Sequence, residues 1–165
     1  MRVSGTFRHE AETRVQALTE RGAGWWVLTP LRTHDGTVLV NRGFVPQNRR
    51  DPAMRAAGQV EGPVTVTGLM RISEPHGGFL RANDPVANRW FSRDVAAIAR
   101  ARDLGPVAPF FVDADAAPNP GGYPIGGLTI VQFRNNHLVY AFTWFALALL
   151  SAGAVWRVLR TPGRG

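Results

Sequence analysis

The chain has 165 residues, enough for one ordinary domain, and 45% hydrophobic composition supplies a core, which excludes a disordered tail. Its formal charge is +7, yet all nineteen basic residues are arginine, and the adjacent pair Arg49 and Arg50 is followed at once by Asp51. No stripe forms of the kind that tracks phosphates, so no nucleic-acid partner is expected, and the absence of cysteine excludes disulfides, thiolate zinc sites and thiol catalysis together.

In chain order, short apolar runs between turn signals predict strands over 2–7, 24–31, 37–44, 64–72, 110–112 and 128–133. The Asp35-Gly36 dipeptide predicts a hairpin turn, so the second and third strands pair antiparallel. In PVTVTGLM, Val64, Val66 and Gly68 face one way and Thr65, Thr67 and Leu69 the other. SRDVAAIARARDLG predicts one helix, with Ser92 or Asp94 as N-cap, Val95, Ile98 and Ala99 on the inward face and Gly105 as the stop. The segments 74–78, 82–88 and the Pro/Gly-rich 113–127 are expected to be loops. The fold class is mainly β (α+β): a small antiparallel sheet or partial barrel with one covering helix.

Leu138 to Trp156 is uncharged, close to the roughly 20 residues needed to cross about 30 Å of hydrocarbon as a helix. Tyr140, Trp144 and Trp156 sit near its ends, as interfacial aromatics do, and the basic tail 157–165 carries Arg157, Arg160 and Arg164 without an acid. The expectation is a transmembrane helix over 138–156, a β-rich domain over 1–137 on the outer side and a cytoplasmic C-terminus. The polar start MRVSGTFRHE offers no signal or first span. Either an N-terminal hydrophobic segment is missing, or the domain is cytoplasmic and tail-anchored.

No nucleophile elbow, zinc helix or phosphate loop occurs, and Asp84, Asp94, Asp113 and Asp115 each have a turn or cap to serve, so an enzyme is not expected. His137 stands at the entry of the apolar helix, sharing a face with Tyr140, Ala141 and Trp144. An imidazole there can ligate a haem iron between aromatic rings, or merely solvate the helix start beside Asn135 and Asn136. Ala141, Ala148 and Ala152 make a small-residue stripe that admits a second helix, or follow from alanine-rich composition.

VLVNRGFVP at 38–46 resembles the hallmark segment of the surfeit locus protein one family of cytochrome c oxidase assembly factors, whose aromatic after Arg-Gly is more often Trp than Phe44. GTFRHEAETRV, GAGWWVLTPLRTHDG, VTVTGLMRISEP, NRWFSRDVAAIA and RNNHLVYAFTWFALA follow in the family's order. The resemblance implies an outward-facing β-rich domain bracketed by two membrane helices in the plasma membrane of a bacterium. It also implies assistance in delivering haem a to the catalytic subunit of the oxidase, with subunit one, haem a synthase and membrane lipid as partners. The family's proposed haem ligand falls on His137, with Tyr140 and Trp144 as helical neighbours. In the motif Asn41, Arg42, Gly43, Phe44 and Pro46, the guanidinium of Arg42 can fork onto a carboxylate, either a buried one or a haem propionate. Gly43 permits a bulge or close backbone approach, and Phe44 and Pro46 return the chain to the core.

Overall fold

A computed structural model describes residues 1–78 and 80–128, and the helix over 137–160 apart from the side chains of 137, 139 and 158. Two units are distinguished, 1–130 and 131–165.

The first unit is built on six strands: β1 (Arg2–Phe7), β2 (Thr13–Thr19), β3 (Gly22–Thr33), β4 (Gly36–Pro46), β5 (Pro63–Ile72) and β6 (Val107–Ala114). Their order is β1-β5-β6-β4-β3-β2, and β1 also pairs with β3. That second pairing, through Thr6 with Arg32 and Phe7 with Leu31, closes five strands into a ring and leaves β2 as an extension on β3. Closure abolishes most of the unpaired edge that an open sheet would present.

Two expectations change here. The sheet is a closed ring, not a partial one, and it is mixed, because β6 lies parallel to β4 while the other ladders are antiparallel. A parallel pair needs a crossover connection, and the long excursion through β5 and α1 (Val95–Ala101) supplies it. The strand β2 was not anticipated from the sequence, and the 128–133 strand lies outside the described residues beyond Leu128.

Alternation sends most apolar side chains of the ring into two clusters, beside a smaller third of Trp25, Val27 and Val45. Leu31, Val38, Val40 and Val112 pack with Val3, Phe7, Val64 and Val66, so all five ring strands contribute to an inner cluster. Leu28, Leu39 and Phe111 project to the other face and pack under Val95, Ile98 and Ala99 of α1, with Trp90 alongside. Asp94 caps α1 by accepting from Ala97 N at 3.0 Å, and Gly105 takes a left-handed φ of 69° beyond its end. Ser92, the other capping candidate, instead accepts from Gly77 N and Asn83 Nδ2 and ties down the preceding loop. The hairpin between β3 and β4 turns at His34 and Asp35, with Thr33 opposite Gly36, so Gly36 follows the turn.

The second unit holds α2 (His137–Arg160), a helix of 24 residues. Among the described residues no helix is long and apolar enough to cross a membrane. The continuously described side chains run over 140–157, where Tyr140, Thr143, Trp144, Ser151 and Arg157 dilute the apolar run. The crossing expected over 138–156 is therefore not established by the structure.

Candidate functional site

The polar triplet at the end of β4 is where the ring, the covering elements and the Pro/Gly segment meet. Asn41 and Arg42 are 3% and 2% exposed, and consecutive positions send them to opposite faces of the strand. Each therefore needs buried partners of its own.

Asn41 Nδ2 donates to Asp113 Oδ1 at 2.8 Å, and Asn41 Oδ1 accepts from Gly43 N at 3.2 Å. Asp113 also receives Arg93 Nη1 at 3.3 Å and pairs with Arg71 at 3.8 Å. Arg93 in turn forks onto Glu74, with Nη2 to Oε1 at 2.5 Å and Nε to Oε2 at 3.0 Å, and its guanidinium lies 4.9 Å from the centroid of Phe111. Burial pushes the Glu74 carboxyl up, but the hydrogen bonds and charge of Arg93 outweigh it and hold the group below its usual value. The sequence expectation gave Asp113 a loop-opening role; it instead lies within β6, one residue before its end, buried where Asn41, Arg71 and Arg93 converge.

Arg42 points to the inner face. It donates to Gly58 O and to Asn119 Oδ1 at 3.2 Å, approaches His9 Nδ1 at 3.5 Å and lies 4.7 Å from the centroid of the Phe7 ring. The His9 tautomer that donates from Nε2 to Val60 O, 2.8 Å away, leaves Nδ1 free to accept from Arg42. Burial pulls the guanidinium down to about 10, partly offset by Glu12 and reinforced by Arg55. The buried carboxylate anticipated for Arg42 is not there: its protein partners are neutral, and the nearby acid, Glu12, forks onto Arg55 instead.

Gly43 adopts φ +124°, and a Cβ on it would stand 2.1 Å from Ile125 O. Both the left-handed backbone and the contact require glycine. The close approach lets Phe44 and Ile125 exchange backbone hydrogen bonds, each 2.9 Å, which returns the 113–127 segment to β4. Phe44 is 1% exposed and meets Trp26 edge-on at 6.1 Å, while Pro46 closes the strand half-buried. The five motif residues thus form one contiguous node. The 113–127 segment is not a free outer loop, since its Asn119 and Ile125 are two of the node's partners.

His137 is the first residue of α2, and its side chain lies outside the described residues. Tyr140 and Trp144 follow on the same helical face, both exposed, and Ala141, Ala148 and Ala152 are exposed along the same helix. Among the described residues no cluster of three His, Cys, Asp or Glu side chains could hold a metal ion. Sequence reasoning missed Glu12, Arg55, Arg93 and Asn119; the partner of each lies far away along the chain.

A profile of the SURF1 family matches residues 1–149. The chain is 40% identical over 154 residues to Surfeit locus protein 1 of Homo sapiens, covering 90% of this chain and 49% of that protein. It is 40% identical over 149 residues to the Rattus norvegicus protein of the same name, covering 88% and 47%, and 39% identical over 175 residues to a SURF1-like protein of Monosiga brevicollis, covering 98% and 66%. The chain spans about half the length of the mammalian relatives it matches. The matched stretch takes in the whole Asn41-to-Pro46 node with its partners up to Ile125, and on this match the chain belongs to the SURF1 family.

Proposed function

We propose that the chain is a membrane-associated assembly factor for cytochrome c oxidase, without enzymatic activity, that assists delivery of haem a to subunit one. Family membership carries the assembly role, and the family's assembly factors are non-enzymatic. The observation that carries membrane association is α2, whose Leu138, Phe142, Phe145, Leu149, Leu150 and Leu159 are all exposed. An apolar helix surface of that extent is stable only against lipid or another protein. The hydroxyl of Ser151 donates back to Leu147 O at 2.9 Å, which satisfies it without water. In this reading the membrane is the plasma membrane of a bacterium, the first unit faces outward, and Arg157, Arg160 and Arg164 mark the cytoplasmic end.

Haem requires an axial ligand and flat apolar neighbours. His137 would hold the iron, and exposed Tyr140 and Trp144, three and seven positions on, fit the second requirement. When bound, the group is cargo in transit to the oxidase; the chain's own residues only hold and orient it. The test is to purify the full chain from haem a-producing cells and record absorption spectra beside His137→Ala. Equal haem content in the two would remove His137 as ligand.

A second reading, a scaffold that holds oxidase subunits without haem, is favoured by the exposed Ala141, Ala148 and Ala152, whose small side chains admit close helix approach. It predicts that Ala148→Leu or Ala152→Leu weakens co-purification of the oxidase, while haem per chain stays constant.

A further inference from the structure

A cavity of about 200 Å³ lies against the inner face of the ring, lined by Phe7, Val40, Arg42, Val64, Val66 and Pro118 among others. Its walls are mostly apolar, and Arg42 is the one cation on them. Asp115, the one acid on the lining, is exposed and accepts from Ala117 N at 3.0 Å. Arg42 is 2% exposed, and its hydrogen-bond partners, Gly58 O, Asn119 Oδ1 and His9 Nδ1, give it no carboxylate among the described residues. A buried cation of this kind is costly unless an anion accompanies it. The Glu12 carboxylate bonds Arg55 through both its oxygens and makes no hydrogen bond to Arg42, so its charge offsets the burial of Arg42 only in part.

We propose that this cavity is a binding site for a carboxylate carried on a short apolar arm, with Arg42 as the partner of the anion. A guanidinium pairs with a carboxylate through charge-assisted bonds that its present neutral acceptors do not match. Val40, Val64, Val66 and Phe7 then enclose the arm. The volume sets the size of the ligand: it is smaller than the roughly 300 Å³ at which pockets for drug-sized molecules begin, so it takes an arm and not a macrocycle. The inference stands independently of His137 and of haem delivery.

The test is a titration of the ¹⁵N-labelled full chain in detergent micelles with hexanoate, with hexanol as the uncharged control. Hexanoate is expected to shift the backbone amides of Val64, Val66 and Ala114 saturably, with a dissociation constant on the order of millimolar, and hexanol to bind at least tenfold more weakly. Arg42→Gln is expected to weaken hexanoate at least tenfold. Because that change also takes a donor from Gly58 O and Asn119, Val66→Phe is the second variant: it fills the cavity, keeps Arg42, and is expected to lose hexanoate with the amide spectrum otherwise retained. Competition then separates the sources of the arm. Displacement of hexanoate by protoporphyrin IX but not by its dimethyl ester assigns the arm to a porphyrin edge, and displacement by neither assigns it to a smaller acid. Absence of a saturable hexanoate shift, an equal response to hexanol, or unchanged binding in Val66→Phe would overturn the proposal.

Discussion

Asn41 and Asp113 are partners twice over, as opposite residues in the parallel β4–β6 ladder and through a 2.8 Å side-chain hydrogen bond. Both are almost wholly buried. The pair therefore joins register to polar satisfaction: a slip of one residue in either strand would turn that strand's polar group to the inner, apolar face and leave the other without its partner. Replacing Asn41 by Ala removes one donor from Asp113 and the acceptor of Gly43 N, so a loss of about 2 kcal/mol is expected. Asn41→Asp is expected to cost more, since it sets a second carboxylate beside Asp113. Urea midpoints of the full chain check both, and Asn41→Asp more stable than Asn41→Ala would contradict the account.

Gly43 supplies the second test of the node. Gly43→Ala places a methyl group against Ile125 O and forces an L residue into φ +124°, two penalties that add to about 2 kcal/mol or more. The expected local result is faster hydrogen exchange at the amides of Phe44 and Ile125, which bond each other across the contact. Amides deep in the β3–β4 ladder, such as Val40, are expected to change less. Uniform loss of protection across the ring would show that the contact is not local.

How far the sequence discloses this arrangement depends on the range of the signal. The alternation of β5 and the cap and stop of α1 are local patterns, and the structure follows them. β2 is hidden because Arg14 and Gln16 sit between its short inward residues Thr13, Val15 and Ala17, and as an extension β3 is the one strand it pairs with among the described residues, beside a single bridge from Val15 to Trp90. The Asn-Arg-Gly triplet is visibly odd in an apolar strand, and a polar junction can be anticipated there. Its partners cannot: Asp113 is 72 residues from Asn41, and Asn119 is 77 from Arg42. Such pairs exist only once the ring closes and α1 has returned β6 parallel to β4. The role of Arg42 was half legible for the same reason, since a buried arginine calls for acceptors but composition does not say whether they are carboxylates or carbonyls.

Glu74 gives the fold a specific pH dependence. Its folded pKa lies below the usual glutamate value of 4.5, because the Arg93 hydrogen bonds outweigh the upward push of burial. A depressed carboxylate pKa means that its contribution is fully present above the unfolded value and is lost as pH falls through the folded one. Wild type and Glu74→Gln are therefore expected to differ most near neutrality and to converge as pH drops below 4.5. Urea midpoints taken from pH 7 downward measure the convergence. A gap that stays constant would show that Glu74 contributes by shape alone.

The Glu12–Arg55 pair separates two meanings of a buried ion pair. Their side chains are 4% and 2% exposed and form two hydrogen bonds, 2.9 Å and 2.5 Å, linking the turn before β2 to the 52–58 segment. Removing one partner strands the other charge out of water, so Glu12→Gln is expected to cost about 3–5 kcal/mol. Removing both need not, because an apolar pair of similar volume escapes the desolvation penalty that the ion pair only partly recovers. Glu12→Leu with Arg55→Met is therefore expected to be more stable than Glu12→Gln alone. Arg42 adds a further consequence, because Glu12 raises its pKa while Arg55 lowers it, and removing both takes away opposing influences. The double variant is expected to leave the Arg42 contacts with Gly58 and Asn119 in place, which side-chain Nε resonances of arginine-labelled protein can follow. A double variant less stable than Glu12→Gln would show that the pair is required for the geometry of the 52–58 segment itself.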